Sequence, residues 1–376
     1  MVIKNAWVFT EEKTFKKLDV AFDRRIQSVG CLPDQADIDA EGRYLIPGLI
    51  DLHTHGAVGH DFSDGNSEGL RLLSEYYASH GVTSFCATTM TLPEDTLTAA
   101  MRCIRGYQRS DKDARCTGIY LEGPFLSYKK RGAQAGDNLH APDTGMFRRL
   151  HEASGNRVKL IGIAPELPGA MEFIKEVSKI CAVSLAHTAA DYQTAAEAFS
   201  CGATQATHLF NGMNPLHHRE PAVIGAAFDS GAYAELICDG IHVHPSVIRI
   251  AFRLFGDRLI LISDSLRCAG MPNGSYILGG QAFTVHDGKA TLQDGTLAGS
   301  SIHLLQAVQN AISFGIPPQD AIAAATITPA RAIGIEPELG SISAGKYADM
   351  LILDSRFQLL TTIIDGRIIN HGNTGI

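Results

Sequence analysis

The sequence predicts an α/β fold: a (β/α)8 TIM barrel with a small β-sandwich domain built from the N- and C-terminal segments. Two observations predict it. Between residues 48 and 334, strand-like apolar runs alternate with stretches of helical periodicity in eight β-then-α units, the number found in a closed barrel. Both ends of the 376-residue chain instead alternate apolar and polar residues, as short antiparallel strands do.

The small domain is predicted from residues 1–47 and 335–376. The first segment contains three strand-like stretches, "VIKNAWVFT", "KKLDVAFD" and "RRIQSVG", and the second contains "FQLLTTIIDGRIIN" with an Asp365-Gly366 turn. Because chain termini often lie close together, the two segments can pair. The barrel then occupies residues 48–334, with a β-hairpin insertion near 275–297.

The barrel prediction depends on the order of its elements. The eight strand candidates are "GLIDLH", "VTSFCATT", "CTGIYLE", "VKLIGIAP", "AVSLAH", "TQATHLF", "AYAELICD" and "RLILISD". The intervening helices include "EGLRLLSEYYASHG", "PEDTLTAAMRCIRGYQ", "GAMEFIKEVSKI", "DYQTAAEAFSCG" and "PSVIRIAFRLFG". The alternative, an open doubly wound sheet, would be expected to have a glycine-rich turn after its first strand, and no G-x-G-x-x-G occurs there.

Composition and charge exclude several classes of protein. With 45% hydrophobic and 19% charged residues, the chain is typical of a globular enzyme. A net charge of −8 gives no reason to bind nucleic acid or an anionic membrane, so an anionic substrate would need a local cationic pocket. The sequence contains no apolar run of 18 residues, so it predicts no membrane span. The eight cysteines contain no C-x-x-C pair, which favours a reduced, cytoplasmic location.

The predicted strand ends carry the candidate site. In TIM barrels the chemistry lies at the C-terminal ends of the strands, and residues i and i+2 of a strand face the same side. The strand-end residues that can bind a metal are His53 and His55 (strand one), Glu122 (strand three), His187 (strand five), His208 (strand six) and Asp264 (strand eight). Imidazoles with a carboxylate are ligands that zinc accepts. A single histidine there is more often structural, but this gathering favours a metal site over chance.

Longer motifs extend this pattern and resemble the amidohydrolase superfamily. The stretches that carry the resemblance run from residue 47 to 301: "PGLIDLHTHG", "YLEGPFLSYKKRGAQ", "THLFNGMNPLHHREPAVIGAA", "DGIHVHP", "SDSLRCAGMPNG" and "LAGSS". They are similar to the deacetylases of this superfamily that act on N-acetylglucosamine 6-phosphate. The resemblance therefore implies a hydrolase that releases acetate and glucosamine 6-phosphate.

The resemblance also implies roles for the metal ligands and catalytic groups. Glu122, His187 and His208 would hold the main metal ion, and His53 with His55 would allow a second. Zinc is the first expectation, with iron, manganese or cobalt as alternatives, and one or two ions per subunit. Asp264 would be the catalytic acid and base, and His242 would contact the substrate near the scissile carbonyl.

The substrate contacts follow from the same resemblance. The implied substrate-binding residues are Asn211, Gly212, Arg219, His242, Gln134 and Ile302. Arg219 would reach the phosphate of the neighbouring active site, so a homodimer is implied, although "HHREP" taken alone fits a solvated loop before a helix equally well. Gln134 is a departure, because many members carry histidine there. It can still bond a sugar hydroxyl but cannot carry charge.

The chemistry explains why such residues are needed. An acetamide is a poor electrophile and water a poor nucleophile, and a divalent cation activates both. The oxygen of the tetrahedral intermediate is anionic, and His242 can stabilise it. The amine must be protonated to depart, so one carboxylate, Asp264, can take the proton of water and then give it to nitrogen. A buried aspartate that caps the next helix is the structural alternative.

Three other functions stay open. An amidohydrolase of cyclic amides or of deamination often carries a lysine on strand four, and "VKLIGIAP" ends without one, which argues against this class. A different N-acyl substrate, such as N-acetylgalactosamine 6-phosphate or an N-acyl amino acid, is the second alternative. A metal-free barrel that serves as a binding protein is the third. Bound metal would exclude this last alternative.

Overall fold

The two ends of the chain lie in one sheet of the computed structural model, which describes residues 1–33 and 35–369. Its strands are β1 (Val2–Phe9), β2 (Phe15–Phe22), β3 (Ile26–Gly30), β4 (Ile38–Asp39), β5 (Tyr44–Pro47), β19 (Met350–Leu353), β20 (Leu359–Ile364) and β21 (Arg367–Ile369). Their order is β21-β20-β19-β5-β1-β2-β3, with β4 paired to β1. The predicted pairing of the two termini is confirmed, and residues 370–376 of the predicted C-terminal segment lie outside the described residues.

This terminal sheet has its own hydrophobic core. Ile3, Val20 and Phe22 from the N-terminal strands pack with Met350 and Ile363 from the C-terminal strands, and all five are fully buried. Because residues from both ends of the chain build one core, neither end can form this unit without the other. The boundaries predicted for the two domains stay a prediction.

Eight parallel strands form the second large sheet. They are β6 (Leu49–Thr54), β9 (Val82–Thr89), β10 (Arg115–Leu121), β11 (Val158–Ile163), β12 (Ala182–Leu185), β13 (Gln205–Ala206), β14 (Tyr233–Ile237) and β15 (Leu259–Ile262). Each pairs with the next in chain order. They are the eight strands that the sequence predicts, in a nearly closed barrel. All eight residues of β9 are buried, as expected where helices cover a parallel sheet.

Helices follow these strands and cover the barrel. They are α1 (Ser67–Ser79), α2 (Glu94–Gly106), α3 (Thr144–Ala153), α4 (Ala170–Val177), α5 (Tyr192–Ser200), α6 (Ala222–Asp229), α7 (Pro245–Phe255), α8 (Leu304–Ser313), α9 (Pro318–Ala324) and α10 (Ile327–Ala332). Local signals mark their starts: the Asn66 side chain accepts from two backbone N–H groups of α1, and Pro245 opens α7. In the described part of the chain, no helix combines the length and apolar character needed to cross a bilayer.

Side-chain alternation separates the barrel interior from the layer beneath the helices. Ile50 and Leu52 of β6 pack in one cluster with Ile260 and Ile262 of β15. Their neighbour Leu49 packs in a different and larger cluster that includes helix residues. A strand imposes this period of two. It is interrupted near His53, because the register of β6 against β9 shifts between Asp51 and Thr54.

Smaller elements complete the chain. Strands β7 (Gly56–Ala57) and β8 (His60–Asp61) form a short antiparallel pair after β6, and the region predicted as a hairpin insertion forms three antiparallel strands, β16 (Gly274–Leu278), β17 (Gln281–His286) and β18 (Lys289–Leu292). Four short 3-10 helices span Phe62–Asp64, Tyr128–Lys130, Gly136–Asn138 and Gly256–Arg258. The three-stranded insertion contributes Leu278 to the cavity described next.

Candidate metal centre and active site

The barrel brings the predicted strand-end residues together in two adjoining groups. The first consists of His53, His55 and Asp264, all buried. The Nε2 atoms of His53 and His55 are 3.2 Å apart, and Asp264 Oδ1 lies 3.5 Å from the first and 3.4 Å from the second. Residues 53 and 264 are far apart in sequence, so only closure of the barrel creates this group.

The second group consists of Glu122, His187 and His208, also buried. Glu122 Oε1 is 3.1 Å from His187 Nε2 and 3.0 Å from His208 Nε2, and the two Nε2 atoms are 3.1 Å apart. Glu122 faces the first group too, because its Oε2 lies 3.2 Å from His55 Nε2. One carboxylate is therefore shared by both groups.

The spacing of these atoms fits metal coordination. Ligand atoms that bind a tetrahedral zinc ion at about 2.0–2.2 Å lie roughly 3.3–3.6 Å from one another. The separations in the first group, from 3.2 Å to 3.5 Å, lie close to this edge length, and those in the second group, 3.0 Å to 3.1 Å, are slightly shorter. The donor types, imidazole nitrogen and carboxylate oxygen, are also those that zinc and similar divalent ions accept. The residues present can thus hold a metal ion.

The electrostatics of the cluster show how strongly these groups depend on one another. Burial alone lowers the pKa of a histidine, but Glu122, Asp264 and Glu235 outweigh it and raise the pKa of His53 well above its ordinary value. The pKa of His55 rises to about 9, because hydrogen bonds with Asp264 and Glu122 exceed the effect of burial. Burial acts to raise the pKa of Glu122, but His53 and His187 hold it well below its usual range. The cluster thus favours carboxylates in the ionised form.

Three site residues adopt a backbone conformation that side chains disfavour. The φ angles are +43° at His187, +26° at His208 and +48° at Asp264, in or near the left-handed region. A residue in this conformation costs of order 1–3 kcal/mol of folding free energy, and such residues cluster at functional sites. Each lies two residues beyond the end of its strand, so the sharp change of direction there turns the side chain toward the centre of the barrel mouth.

Backbone and side-chain acceptors orient the histidine rings. The carbonyl oxygens of Lys130 and Asn211 lie 2.9 Å from His187 Nδ1 and 3.1 Å from His208 Nδ1. His53 Nδ1 instead faces the carboxylate of Glu235, 2.9 Å away. These contacts leave each Nε2 for the shared centre.

Glu235 is a residue of the site that sequence reasoning missed. It lies in the predicted strand "AYAELICD", and it is fully buried. An acidic residue between Ala234 and Leu236 in an apolar strand was the available signal, because buried carboxylates need partners. The sequence could not say which partner, since His53 lies 182 positions away.

Gln134 lies beside the metal-binding groups, and its amide contacts protein on both sides. Its Nε2 donates to Glu122 Oε2 at 2.6 Å, and its Oε1 accepts from the backbone N–H of Thr91 at 2.8 Å. The side chain also lines the cavity, so the predicted contact with a sugar hydroxyl stays a prediction. The observed partner of Gln134 is the shared carboxylate.

A cavity of about 730 Å³, including its opening to solvent, lies over these groups. The predicted residues on its lining are His55, Glu122, Gln134, His187, His208, Asn211, Gly212, His242 and Asp264. Gly212 has φ +60°, and a Cβ there would lie 2.9 Å from His187 Nδ1, so this close approach requires glycine.

Two predicted substrate residues lie elsewhere in this chain. Arg219 and Ile302 are not on the cavity lining. Arg219 is exposed in the loop before α6, and its Nη1 lies 2.6 Å from His218 Nε2. Ile302 is buried just before α8. No described lysine or arginine lines the cavity, so a cation for an anionic substrate would have to come from outside it.

His242 is held by Asp239, a second residue that was not assigned a role from sequence. Asp239 Oδ2 lies 2.6 Å from His242 Nδ1, and Asp239 Oδ1 accepts the backbone N–H of His242 at 2.8 Å. His242 Nε2 faces the carbonyl oxygen of Ala298 at 2.7 Å. Burial lowers the pKa of His242, but the hydrogen bond and charge of Asp239, together with the charge of Asp264, outweigh burial and raise the pKa. The D-G-I-H spacing in the sequence was the available signal.

Comparison with known proteins identifies relatives along nearly the whole chain. Residues 44–369 match the model of the amidohydrolase family. The N-acetylglucosamine-6-phosphate deacetylase of Bacillus subtilis (strain 168) is 36% identical over 382 residues, which cover 98% of this chain and 96% of that protein. The N-acetylgalactosamine-6-phosphate deacetylase of Escherichia coli O157:H7 is 35% identical over 334 residues, or 88% of this chain and 89% of that protein.

A solved structure agrees with these relatives. It is an aspartate-to-alanine mutant of N-acetyl-D-glucosamine-6-phosphate deacetylase from Mycobacterium smegmatis, in complex with N-acetyl-D-glucosamine-6-phosphate. It superposes with a TM-score of 0.91 at 30% identity and covers 98% of this chain and 99% of that one. The chain therefore belongs to the amidohydrolase family and is a hydrolase related to the N-acetylglucosamine-6-phosphate deacetylases.

Proposed function

We propose that this protein removes the acetyl group of N-acetylglucosamine 6-phosphate in a metal-dependent hydrolysis that yields glucosamine 6-phosphate and acetate. One observation carries the proposal: Glu122 is shared by two groups of metal-binding side chains at the mouth of a barrel whose relatives bear this name. Supporting evidence is the cavity that opens to solvent above them and is lined by His55, Glu122, His187, His208 and Asp264.

The proposed metal ligands are Glu122, His187 and His208 for the main ion. His53 and His55 offer a second position, so one or two ions can bind. A divalent cation held there would polarise the acetamide carbonyl and lower the pKa of a water molecule from about 16 to near 7. Zinc suits the donor set, as do iron, manganese and cobalt.

Asp264 is the proposed general base and then general acid. Its Oδ1 lies within 3.5 Å of both His53 Nε2 and His55 Nε2, so the carboxylate is held at the centre of the mouth. There it can take the proton of the attacking water and pass it to the amine nitrogen as the C–N bond breaks. His242, oriented by Asp239, is the proposed donor to the carbonyl oxygen. To do so, the N–H at Nε2 of His242 must release the carbonyl oxygen of Ala298 and donate to the carbonyl oxygen of the substrate instead.

The substrate phosphate needs a cation that the cavity does not supply from its own lining. We therefore propose that Arg219 of a neighbouring subunit reaches the phosphate in a homodimer, with Asn211, Gly212, Gln134 and Ile302 as further substrate contacts. The exposure of Arg219 supports a role toward a neighbour. A cytoplasmic location is part of the same proposal.

A second candidate substrate is N-acetylgalactosamine 6-phosphate. The observation that favours it is the 35% identical relative that bears that name, since this identity is almost the same as for the glucosamine relatives. The two sugars differ in the orientation of one hydroxyl group, so discrimination between them depends on the protein contacts of that hydroxyl.

The test is acetate release by protein of measured metal content from four compounds. They are N-acetylglucosamine 6-phosphate, N-acetylgalactosamine 6-phosphate, unphosphorylated N-acetylglucosamine and an N-acyl amino acid. We expect the highest kcat/KM with the first, loss of activity after chelation and recovery on adding zinc. Activity that is independent of metal would contradict the mechanism, and preference for another compound would reassign the substrate.

A further inference from the structure

We infer that Glu235 is a positioning residue of the metal centre, whose carboxylate fixes the ring of His53 with Nε2 turned toward the proposed metal ion. The inference deepens the proposed function and rests on it, because it requires a metal ion at His53. It assigns a role to a residue that touches neither the cavity nor, in the proposed mechanism, the substrate.

The contacts of Glu235 connect three barrel strands. From β14, its Oε2 lies 2.9 Å from His53 Nδ1 at the end of β6. The same oxygen accepts the backbone N–H of His208 at 3.3 Å, beyond β13, and Oε1 accepts from the amide of Gln205 in β13. Both oxygens are thereby bound to the ends of strands that carry proposed ligands. Glu235 and His53 are each fully buried.

This geometry determines which nitrogen of His53 can bind a metal. A carboxylate accepts hydrogen bonds, so the nitrogen that faces it, Nδ1, carries the proton. A neutral imidazole then has its lone pair on Nε2, the atom 3.2 Å from His55 Nε2 and 3.5 Å from Asp264 Oδ1. If Nε2 carried the proton instead, the ring could not bind an ion at this position.

The other proposed histidine ligands have weaker partners. His187 and His208 face backbone carbonyl oxygens, and His55 Nδ1 is buried without a hydrogen-bond partner among the described residues. A charged acceptor makes the ring more basic toward a metal than a backbone carbonyl does. Loss of Glu235 should therefore affect mainly the position formed by His53, His55 and Asp264, and should affect the Glu122, His187 and His208 position less.

The burial of Glu235 is itself an argument for a specific role. A carboxylate moved out of water is costly unless it is paired and hydrogen-bonded, and an apolar residue such as the adjacent Ala234 or Leu236 would fill a strand position without that cost. The bond to His53 explains why an acid can persist there.

Two substitutions separate the effect of the hydrogen-bond acceptor from that of side-chain volume. Glu235→Leu removes the acceptor. Glu235→Gln keeps a neutral acceptor for His53, provided that the amide of Gln205 turns so that its oxygen faces the new amide nitrogen. That turn is feasible because Gln205 Oε1 has no hydrogen-bond partner among the residues that the structure describes. Asp349→Asn is the matched control, since Asp349 is a buried carboxylate directly before β19 whose partners are Arg115 and the backbone N–H of Asp365 rather than the proposed ligands.

Zinc content per chain and zinc affinity are measured in chelator-buffered solution, beside deacetylation kinetics. We expect Glu235→Leu to lower the affinity for an ion at His53 about 10- to 100-fold and Glu235→Gln to lie between it and the wild type. The control should bind zinc as the wild type does. Wild-type stoichiometry and affinity in a folded Glu235→Leu protein would overturn the inference.

A measurement on the unaltered protein covers the case in which Glu235→Leu does not fold. In zinc-loaded, 15N-histidine-labelled protein, we expect a proton bonded to Nδ1 of His53, assigned by its loss in His53→Gln. An Nδ1 without a proton would overturn the inference.

Wild-type protein that binds zinc but does not deacetylate would contradict the proposed function alone, and the affinity comparison would still decide the role of Glu235. Wild-type protein that binds no metal would overturn both.

Discussion

The backbone N–H of Asp264 donates to the carbonyl oxygen of His53 at 2.9 Å, and this bond links the end of strand β15 to strand β6. The eight strands pair in a row from β6 to β15, and this contact joins the two ends of that row. It also sets the side chains of the same two residues 3.5 Å apart. Closure of the barrel and assembly of the site are therefore one structural event.

We predict that Asp264→Asn retains metal but loses turnover. The amide has nearly the shape of the carboxylate but cannot take up or release the proton, and general acid–base catalysis contributes about 10²- to 10⁴-fold. Elemental analysis should still find the ion at Glu122, His187 and His208, while kcat falls by that factor. Rates near those of the wild type would remove Asp264 from the mechanism.

We predict that Gln134→Leu weakens metal binding, because Gln134 donates to Glu122 Oε2 at 2.6 Å. The expected loss in metal affinity and in kcat/KM is about 10- to 100-fold. Gln134→His is the matched variant, since histidine can still donate to Glu122. If the role of Gln134 is instead to bond a sugar hydroxyl, Gln134→Leu will raise KM and leave metal affinity unchanged.

We predict that Arg219→Ala lowers kcat/KM about 10- to 100-fold for the phosphorylated sugar, the effect of losing charge-assisted hydrogen bonds. Unphosphorylated N-acetylglucosamine should be hydrolysed at an unchanged rate. Arg253→Ala, an exposed arginine of α7, controls for the loss of one surface charge. Equal losses on both sugars would contradict a phosphate role.

A mixing experiment tests whether Arg219 acts on the neighbouring subunit. Arg219→Ala and Asp264→Asn chains are each expected to be poorly active alone. In a mixed dimer, one site would combine a native Asp264 with the Arg219 of the other chain, so activity should reappear on subunit exchange. If activity does not reappear although mixed dimers form, Arg219 acts within its own chain or not at all.

We predict a pH-dependent stability difference between the wild type and Asp349→Asn. Burial, opposed by Arg115, raises the pKa of Asp349 from 3.8 to about 6. The folded state thus holds this proton more tightly than the unfolded state, and the stability gained from it below about pH 4 is lost as pH rises to 6. Asparagine does not titrate. Over this window, the free energy of unfolding of the wild type should fall by about 3 kcal/mol at most relative to that of the variant. Urea unfolding at pH 4 and 7 measures this difference. A difference that is constant with pH would contradict the raised pKa.

The order of elements and the composition of the site were predictable because both depend on local pattern. Apolar runs and helical periodicity identify the eight strands within a few residues, as β9 (Val82–Thr89) shows by matching the predicted "VTSFCATT". Once a barrel is assumed, the residue types at strand ends follow from reading each run to its last position. That is why His53, Glu122 and Asp264 could be proposed from sequence.

What only the tertiary structure decided is which atoms meet. The sharing of Glu122 by two groups and the pairing of Glu235 with His53 join segments that are distant in sequence. The left-handed backbone at His187, His208 and Asp264 turns their side chains toward the same centre. The physical reason is that a buried polar group must find its partner in three dimensions, and the sequence records the need for that partner without its identity.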